Sequence, residues 1–222
     1  MVSLPEAGFL AQASDRLKLM LEEEAIEARL GTGDVLFQHG DTGDALYVIL
    51  QGMMEVSILS QNGRKLSMDL MGPGSVFGEI ALFDPGERTA TITATQPCRV
   101  LKVQNADVMR QVRRNPELAV DLTRLAGQRM RWINMQLHEQ VFLTVPTRLA
   151  RKLLHLAQLQ SEDNCSVSLS QSELAEYVGA TREAVSKTIS VWKKQGIIEA
   201  SRGGLEILDS DTMEELADPE QI

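Results

Sequence analysis

The segment "GSVFGEIALFDPGERTATI", residues 74–92, places one acid and one base in a stretch otherwise fit for burial. Glu79 follows Phe77-Gly78 and precedes an apolar run. Arg88 stands between a Pro-Gly turn and the alternating Thr-Ala-Thr-Ile of a strand. Such a pair either satisfies itself or holds a small ligand that needs both groups. Gly78 lets backbone come close to a neighbour. It opens a short helical turn whose free N–H groups suit an anion. An arginine fork beside N–H donors suits a phosphate, and a carboxylate nearby suits a sugar hydroxyl. Phosphate and hydroxyl held together describe a ribose cyclic phosphate.

The flanking sequence predicts a β domain around that segment. "DVLFQHGDTGDALYVILQGMMEVSIL" (34–59) contains two apolar stretches separated by a turn-rich "HGDTGD". Asn62-Gly63 is a strong hairpin signal. "LSMDLM" and "CRVLKVQ" add further short strands. Strands of this length at this spacing suggest a sandwich or jelly roll. Upstream, Leu17 to Leu30 reads as a short helix whose "EEE" run is a solvated face.

After Asn115-Pro116 the pattern changes to helix. Leu122, Ala126, Met130, Ile133, Leu137 and Val141 recur at spacings of three or four, one apolar stripe on a long helix. About 26 residues, or roughly 39 Å at 1.5 Å per residue, overreach the core of a small domain. Pairing with a second copy in a coiled-coil-like dimer is the reading preferred over packing wholly within the chain. A hinge is expected near Phe142 to Pro146, with Thr144 or Thr147 capping the next amphipathic helix.

The last third predicts a helix-turn-helix. Ser170 with Glu173 forms a capping box, Gly179 ends that helix, and Thr181 caps the next. Val185, Ile189 and Trp192 bury one face of the second helix. "GIIEASRGGLEIL" (196–208) reads as a two-stranded wing with Gly203-Gly204 at its tip. The exposed face carries Arg182, Glu183, Ser186 and Lys187. A recognition helix meets base edges in its first turn, where Arg can take guanine and Glu can accept from cytosine. The acidic end "DSDTMEELADPEQI" reads as a solubilising, partly mobile terminus.

Bulk properties bound these readings. Net charge is −9 over 222 residues, yet residues 144–206 carry a net +1 while 1–143 carry −4 and 207–222 carry −6. A locally basic reading surface is compatible with that distribution. No apolar run approaches the roughly 18 residues of a membrane span, and the start lacks a signal-peptide pattern, so a cytoplasmic protein is expected. The two cysteines and three histidines show no metal spacing. No catalytic triad or phosphate loop is present, and an enzyme is not expected.

"FGEIAL…GERTATI" resembles the phosphate-binding cassette of cyclic-nucleotide-binding domains. Together with the long helix and "SELAEYVGATREAVSKTI", nearly the whole chain resembles the Crp/Fnr regulators, in their cyclic-AMP receptor branch. The resemblance implies an α+β chain in three parts: a β jelly-roll cyclic-nucleotide-binding domain over 1–115, a dimerisation helix and hinge over 116–143, and a winged helix-turn-helix DNA-binding domain with acidic tail over 144–222. It implies that Gly78, Glu79, Ile80 and Ala81 line the ribose and phosphate, with Glu79 on the 2′-hydroxyl, and that Arg88 and Thr89 bind the phosphate. It places Ile133 and Asn134 where family activators present a Thr and a polar residue to adenine. Ile133 has no hydroxyl to give, whereas Asn134 both donates and accepts. Cyclic AMP is expected first as effector and cyclic GMP second; no further cofactor and no metal are expected. Thr181, Arg182, Glu183, Ser186 and Lys187 are the implied DNA contacts. A palindromic DNA operator, a second copy of the chain and RNA polymerase are the implied partners. The rival readings are the same architecture sensing a non-nucleotide effector, and a nucleotide-gated module that does not bind DNA.

Overall fold

A computed structural model describes residues 3–160, 165–201 and 204–218. The chain forms two compact units, Met1–Ile58 with Met68–Ile133, and Leu59–Ser67 with Asn134–Ile222.

In the first unit a 3₁₀ turn (Gly8–Gln12) and α1 (Asp15–Glu24) precede eight short strands. These are β1 (Ile26–Leu30), β2 (Val35–Phe37), β3 (Ala45–Gln51), β4 (Met54–Leu59), β5 (Lys65–Met71), β6 (Val76–Phe77), β7 (Thr91–Ala94) and β8 (Cys98–Gln104). They make two four-stranded sheets, ordered β1-β8-β3-β6 and β2-β7-β4-β5. The expected jelly roll is therefore present. β3 is apolar over most of its length because it is buried on both faces, and β8 also buries residues on both faces while Arg99 and Lys102 stay partly exposed. Tyr47, Ile49 and Val100 point into the space between the sheets, with Met54, Met71, Phe77 and Ile92. Leu46, Val48, Leu101 and Val103 point the other way, onto Leu17, Met20 and Leu21 of α1 and onto helical residues further along the chain.

Those later helices are α2 (Ile80–Phe83), α3 (Asn105–Arg114) and α4 (Leu118–Phe142). The 25 residues of α4 match the predicted long helix closely. Its first turns bury Leu118, Leu122 and Leu125 against the sheet, while Met130, Ile133, Leu137 and Val141 are exposed.

The expected helix over Leu17–Leu30 is corrected. Ser14 caps α1 by accepting from the Leu17 N–H, but the helix stops at Glu24. Ile26–Leu30 is instead an edge strand on β8, in register from Ile26 opposite Lys102 to Leu30 opposite Cys98. Arg99 on β8 donates twice to Glu27, at 2.9 Å each, and secures that edge. A free pair of backbone edges outcompetes the moderate helix propensity of "IEARL".

In the second unit α4 ends at Phe142, and Leu143 and Thr144 separate it from α5 (Val145–Gln160). β9 (Ser166–Val167), α6 (Gln171–Val178), α7 (Arg182–Lys194), β10 (Ile198–Ala200), β11 (Leu205–Ile207) and α8 (Ser210–Ala217) follow. The three strands form one antiparallel sheet, ordered β10-β11-β9, so the wing gains a third strand. Gly203 of the expected wing tip lies outside the described residues. The acidic terminus, expected to be solubilising and partly mobile, forms a seated helix over 210–217. Asp209 caps α8 by accepting from the Thr212 N–H, Met213 is fully buried, and Arg151 Nε donates to Ala217 O at 2.7 Å. Residues 219–222 lie outside the described residues. No helix among the described residues is long and apolar enough to cross a membrane.

Candidate functional site

A cavity of about 340 Å³ opens between the sheets and α4, lined in part by Gly78, Glu79, Ile80, Ala81, Arg88, Thr89 and Ile133. Seven of the eight expected ligand residues thus share one cavity. Asn134 is not among its lining residues.

The turn from β6 into α2 sets the geometry. Gly78 has φ +85°, a conformation that L side chains resist. A Cβ there would lie 2.8 Å from Ala45 O and 2.9 Å from Arg88 Nη1. Only glycine allows the arginine to reach this close. Arg88 is 4% exposed. Its Nη1 donates to Gly78 O at 3.2 Å and its Nη2 to Ala45 O at 2.9 Å. The guanidinium lies 4.3 Å from the centre of the Phe37 ring. Asp44 Oδ1 is 3.6 Å away but half exposed. The buried Nε has no hydrogen-bond partner. A buried cation with an unsatisfied donor is costly unless an acceptor arrives.

Glu79 does not face Arg88 as its partner. Its carboxylate accepts from Arg129 Nε on α4 at 3.1 Å. The opening pair is therefore neither self-satisfied nor free: each member has its own support. Arg129 also approaches Asp69 of β5 at 4.0 Å, and its guanidinium lies 5.4 Å from the centre of the Trp132 ring. Arg129 and Trp132 both line the cavity. Sequence reasoning missed them because they sit on the face of α4 beside the apolar stripe, where a charge and an aromatic read as ordinary surface.

The helix-turn-helix forms as its local chemistry dictates. Ser170 N donates to Glu173 Oε2 at 2.8 Å and Glu173 N donates to Ser170 Oγ at 3.3 Å, the reciprocal capping box. Gly179 takes the left-handed conformation, φ +67° and ψ +42°. Thr181 caps α7 by accepting from the Ala184 N–H at 3.2 Å, so its hydroxyl is already engaged. Val185, Ile189 and Trp192 are buried, as predicted. Arg182, Glu183 and Lys187 are exposed on the opposite face, with Ser186 half-buried. Arg182 also lines a polar hollow with Ser170, Gln171 and Ser201, which lies between α7 and the wing.

The last turns of α4 and the residue after them are tied into this unit by five polar contacts. Gln140 Nε2 donates to Val178 O at 3.1 Å, at the end of α6. Arg148 Nη1 donates to Gln140 O at 3.1 Å and to Leu143 O at 3.3 Å, satisfying carbonyls that the helix end leaves open. Arg151 pairs with Glu139 at 3.0 Å, and Lys152 Nζ donates to Gln136 Oε1 at 2.7 Å. Burial pulls the Arg148 guanidinium below its ordinary value, and Glu139 pulls it back. The segment expected to act as a hinge is thus a short break stitched by side chains from both flanking helices.

Comparison with known proteins agrees with both halves. Residues 27–115 match the cyclic nucleotide-binding domain family and residues 147–216 match the Crp-like helix-turn-helix domain family. A CRP-like cAMP-activated global transcriptional regulator of Mycobacterium tuberculosis is 33% identical over 186 residues, covering 82% of this chain and 83% of that protein. A cyclic AMP receptor protein of Thermus thermophilus is 30% identical over 185 residues, covering 83% and 85%. A crystal structure of a CRP/FNR-family transcriptional regulator from the same species superimposes with TM-score 0.76 at 27% identity, covering 86% of this chain and 98% of that one.

Proposed function

Because the chain belongs to the Crp/Fnr family of transcription regulators, we propose that it is a homodimer gated by a cyclic purine nucleotide. It is a DNA-binding regulator with a cyclic nucleotide-binding domain, not an enzyme. The finer reading takes cyclic AMP as first effector and cyclic GMP as second, acting in the cytoplasm.

The observation that carries it is Arg88. A guanidinium 4% exposed, with a buried Nε lacking any acceptor, lines a ligand-sized cavity. A cyclic phosphate would supply the missing acceptor and the compensating charge. The N–H groups of Ile80 and Ala81, in the first turn of α2, have no intrahelical acceptor to compete for them. Thr89 adds a hydroxyl at the same end, and Glu79 would accept from the ribose 2′-hydroxyl.

The exposed stripe of Met130, Ile133, Leu137 and Val141 on α4 supports pairing with a second copy through this helix. Each copy would then present Arg182, Glu183, Ser186 and Lys187 to one half-site of a palindrome. Half-sites in such dimers lie about 34 Å apart. Alpha-4 contributes Arg129 and Ile133 to the cavity, and seven residues beyond Ile133 it contributes Gln140 to the helix-turn-helix turn. Ligand and DNA affinities would be coupled reciprocally through it, typically by about 1–3 kcal/mol. RNA polymerase is the further partner we propose for this role.

Calorimetry with cyclic AMP and cyclic GMP on ligand-free protein tests the input, and a gel shift on palindromic DNA with and without nucleotide tests the output. Heat for neither nucleotide overturns the effector assignment. A shift independent of nucleotide overturns the gating.

A further inference from the structure

We propose that Trp132 is the base platform of the cavity, so that the effector's purine is held by stacking on its ring and not by reading of its edge. This rests on the cyclic-nucleotide reading of the same site and names how its base is selected.

The cavity lining is chemically mixed. Gly78, Glu79, Arg88 and Thr89 supply polar groups. The lining residues supplied by β4, β5 and α4 are Val56, Ile58, Met68, Arg129, Trp132 and Ile133. Of these six only Arg129 is charged, and its guanidinium is committed to Glu79 at 3.1 Å and to Asp69 at 4.0 Å. Val56, Ile58, Met68 and Ile133 have no group that can exchange hydrogen bonds with exocyclic amino or oxo groups.

Trp132 is the large flat surface in that set. The Arg129 guanidinium 5.4 Å from its ring centre is itself held by Glu79, so the indole is buttressed by a fixed cation. The ring also borders a second, smaller cavity of about 170 Å³, lined by Phe9, Leu125 and Gln128 among others. The indole therefore has space beside it in which to adjust to a bound base.

Stacking tolerates base identity, because every base has a π-face. Strong discrimination needs a site that hydrogen-bonds the distinguishing group. Phe37 and Phe77 also line the cavity, but Phe37 lies under the Arg88 guanidinium and Phe77 is part of the core between the sheets. A base stacked on Trp132 from α4 would therefore favour the larger ring system of a purine and separate adenine from guanine weakly.

The test uses the full chain and calorimetry with four probes: cyclic AMP, cyclic GMP, cyclic CMP and purine riboside 3′,5′-cyclic monophosphate, which has a purine without exocyclic groups. The expected result is that the purine riboside compound binds within about threefold of cyclic AMP, with cyclic CMP at least about tenfold weaker. W132L should weaken the purine ligands by about tenfold or more and change cyclic CMP little, while W132F should retain most of the affinity. Wild-type emission, compared with that of W132F, should change on saturation with cyclic AMP. If the purine riboside compound binds more than about tenfold weaker than cyclic AMP, the edge is being read and the proposal falls. Unchanged purine affinity in a folded W132L also overturns it, and leaves the effector reading standing. No heat with any of the four probes removes both.

Discussion

Arg129 Nε donates to Glu79 Oε1 at 3.1 Å across 50 residues of sequence. This bond decides what the acid of the cassette does. Glu79 is 3% exposed and would be a costly isolated charge. With Arg129 in place it is a positioned acceptor at the edge of the cavity, while Arg88 draws on other partners, Gly78 O, Ala45 O and Asp44.

Arg129→Ala should therefore destabilise the first unit by about 1–3 kcal/mol, because a buried carboxylate loses its charged donor. Glu79→Gln in the same chain should recover part of the loss, since the stranded charge is gone. Urea unfolding of the wild type, the two single variants and the double variant measures the coupling.

Arg88→Ala should weaken cyclic-nucleotide binding by about 2–5 kcal/mol, thirtyfold or more. Arg88→Lys should fall between, because a lysine supplies charge without the planar fork. Calorimetry reads both, and equal affinity in all three proteins would remove the phosphate role.

Gly179 and Gln140 should be coupled. A Cβ at Gly179 would meet Gln140 Nε2 at 2.7 Å, at a φ of +67°. Gly179→Ala is expected to cost about 1–2 kcal/mol from the left-handed backbone alone, with an added steric share. In a Gln140→Ala background the steric share should vanish. Thermal melting of the four proteins measures the non-additivity.

Arg182→Ala should cost about 1–3 kcal/mol in operator binding and relax one base position. Lys187→Ala separates two roles. A uniform loss across sequences with a shallower salt dependence marks a phosphate contact; a loss confined to one base marks edge reading. Fluorescence anisotropy on a set of single-base operator variants distinguishes them.

Asp209 gives the terminal helix a pH dependence. The Thr212 hydroxyl, followed by the Thr212 N–H, holds its carboxyl below the ordinary value of 3.8. Its folded-state pKa is depressed, so its contribution is present above about 3.8 and is lost as pH falls through the folded value. Hydrogen exchange of the α8 amides should accelerate in that acid window, and in Asp209→Ala the same amides should exchange faster already at neutral pH.

Much of the fold was legible because its signals are local. Asn62-Gly63, the Ser170–Glu173 box, the Gly179 stop and the three-or-four spacing on α4 each act within a few residues. The cassette was legible for the same reason: Gly78, Glu79 and Arg88 lie within one short segment. Less was visible where local preference competes with a distant partner. "IEARL" offers a helix acceptable residues, but the open edge of β8 takes it as a strand. "SDTMEELA" reads as solvated acid until α5 provides a seat for Met213. Helix α3 buries only Val108 fully, too thin a stripe to announce itself.

The amino-acid order alone determined the two kinds of unit, the cap and turn of the helix-turn-helix, and the presence of an arginine within one short segment of a close-approach glycine. Backbone hydrogen bonding and short-period side-chain patterning fix those within a turn or a strand. Only the folded chain decided which cation serves Glu79, that Trp132 walls the same cavity, and that Gln140 is bound at the Val178–Gly179 turn. These are pairings between groups far apart in sequence, and nothing but packing sets their separation.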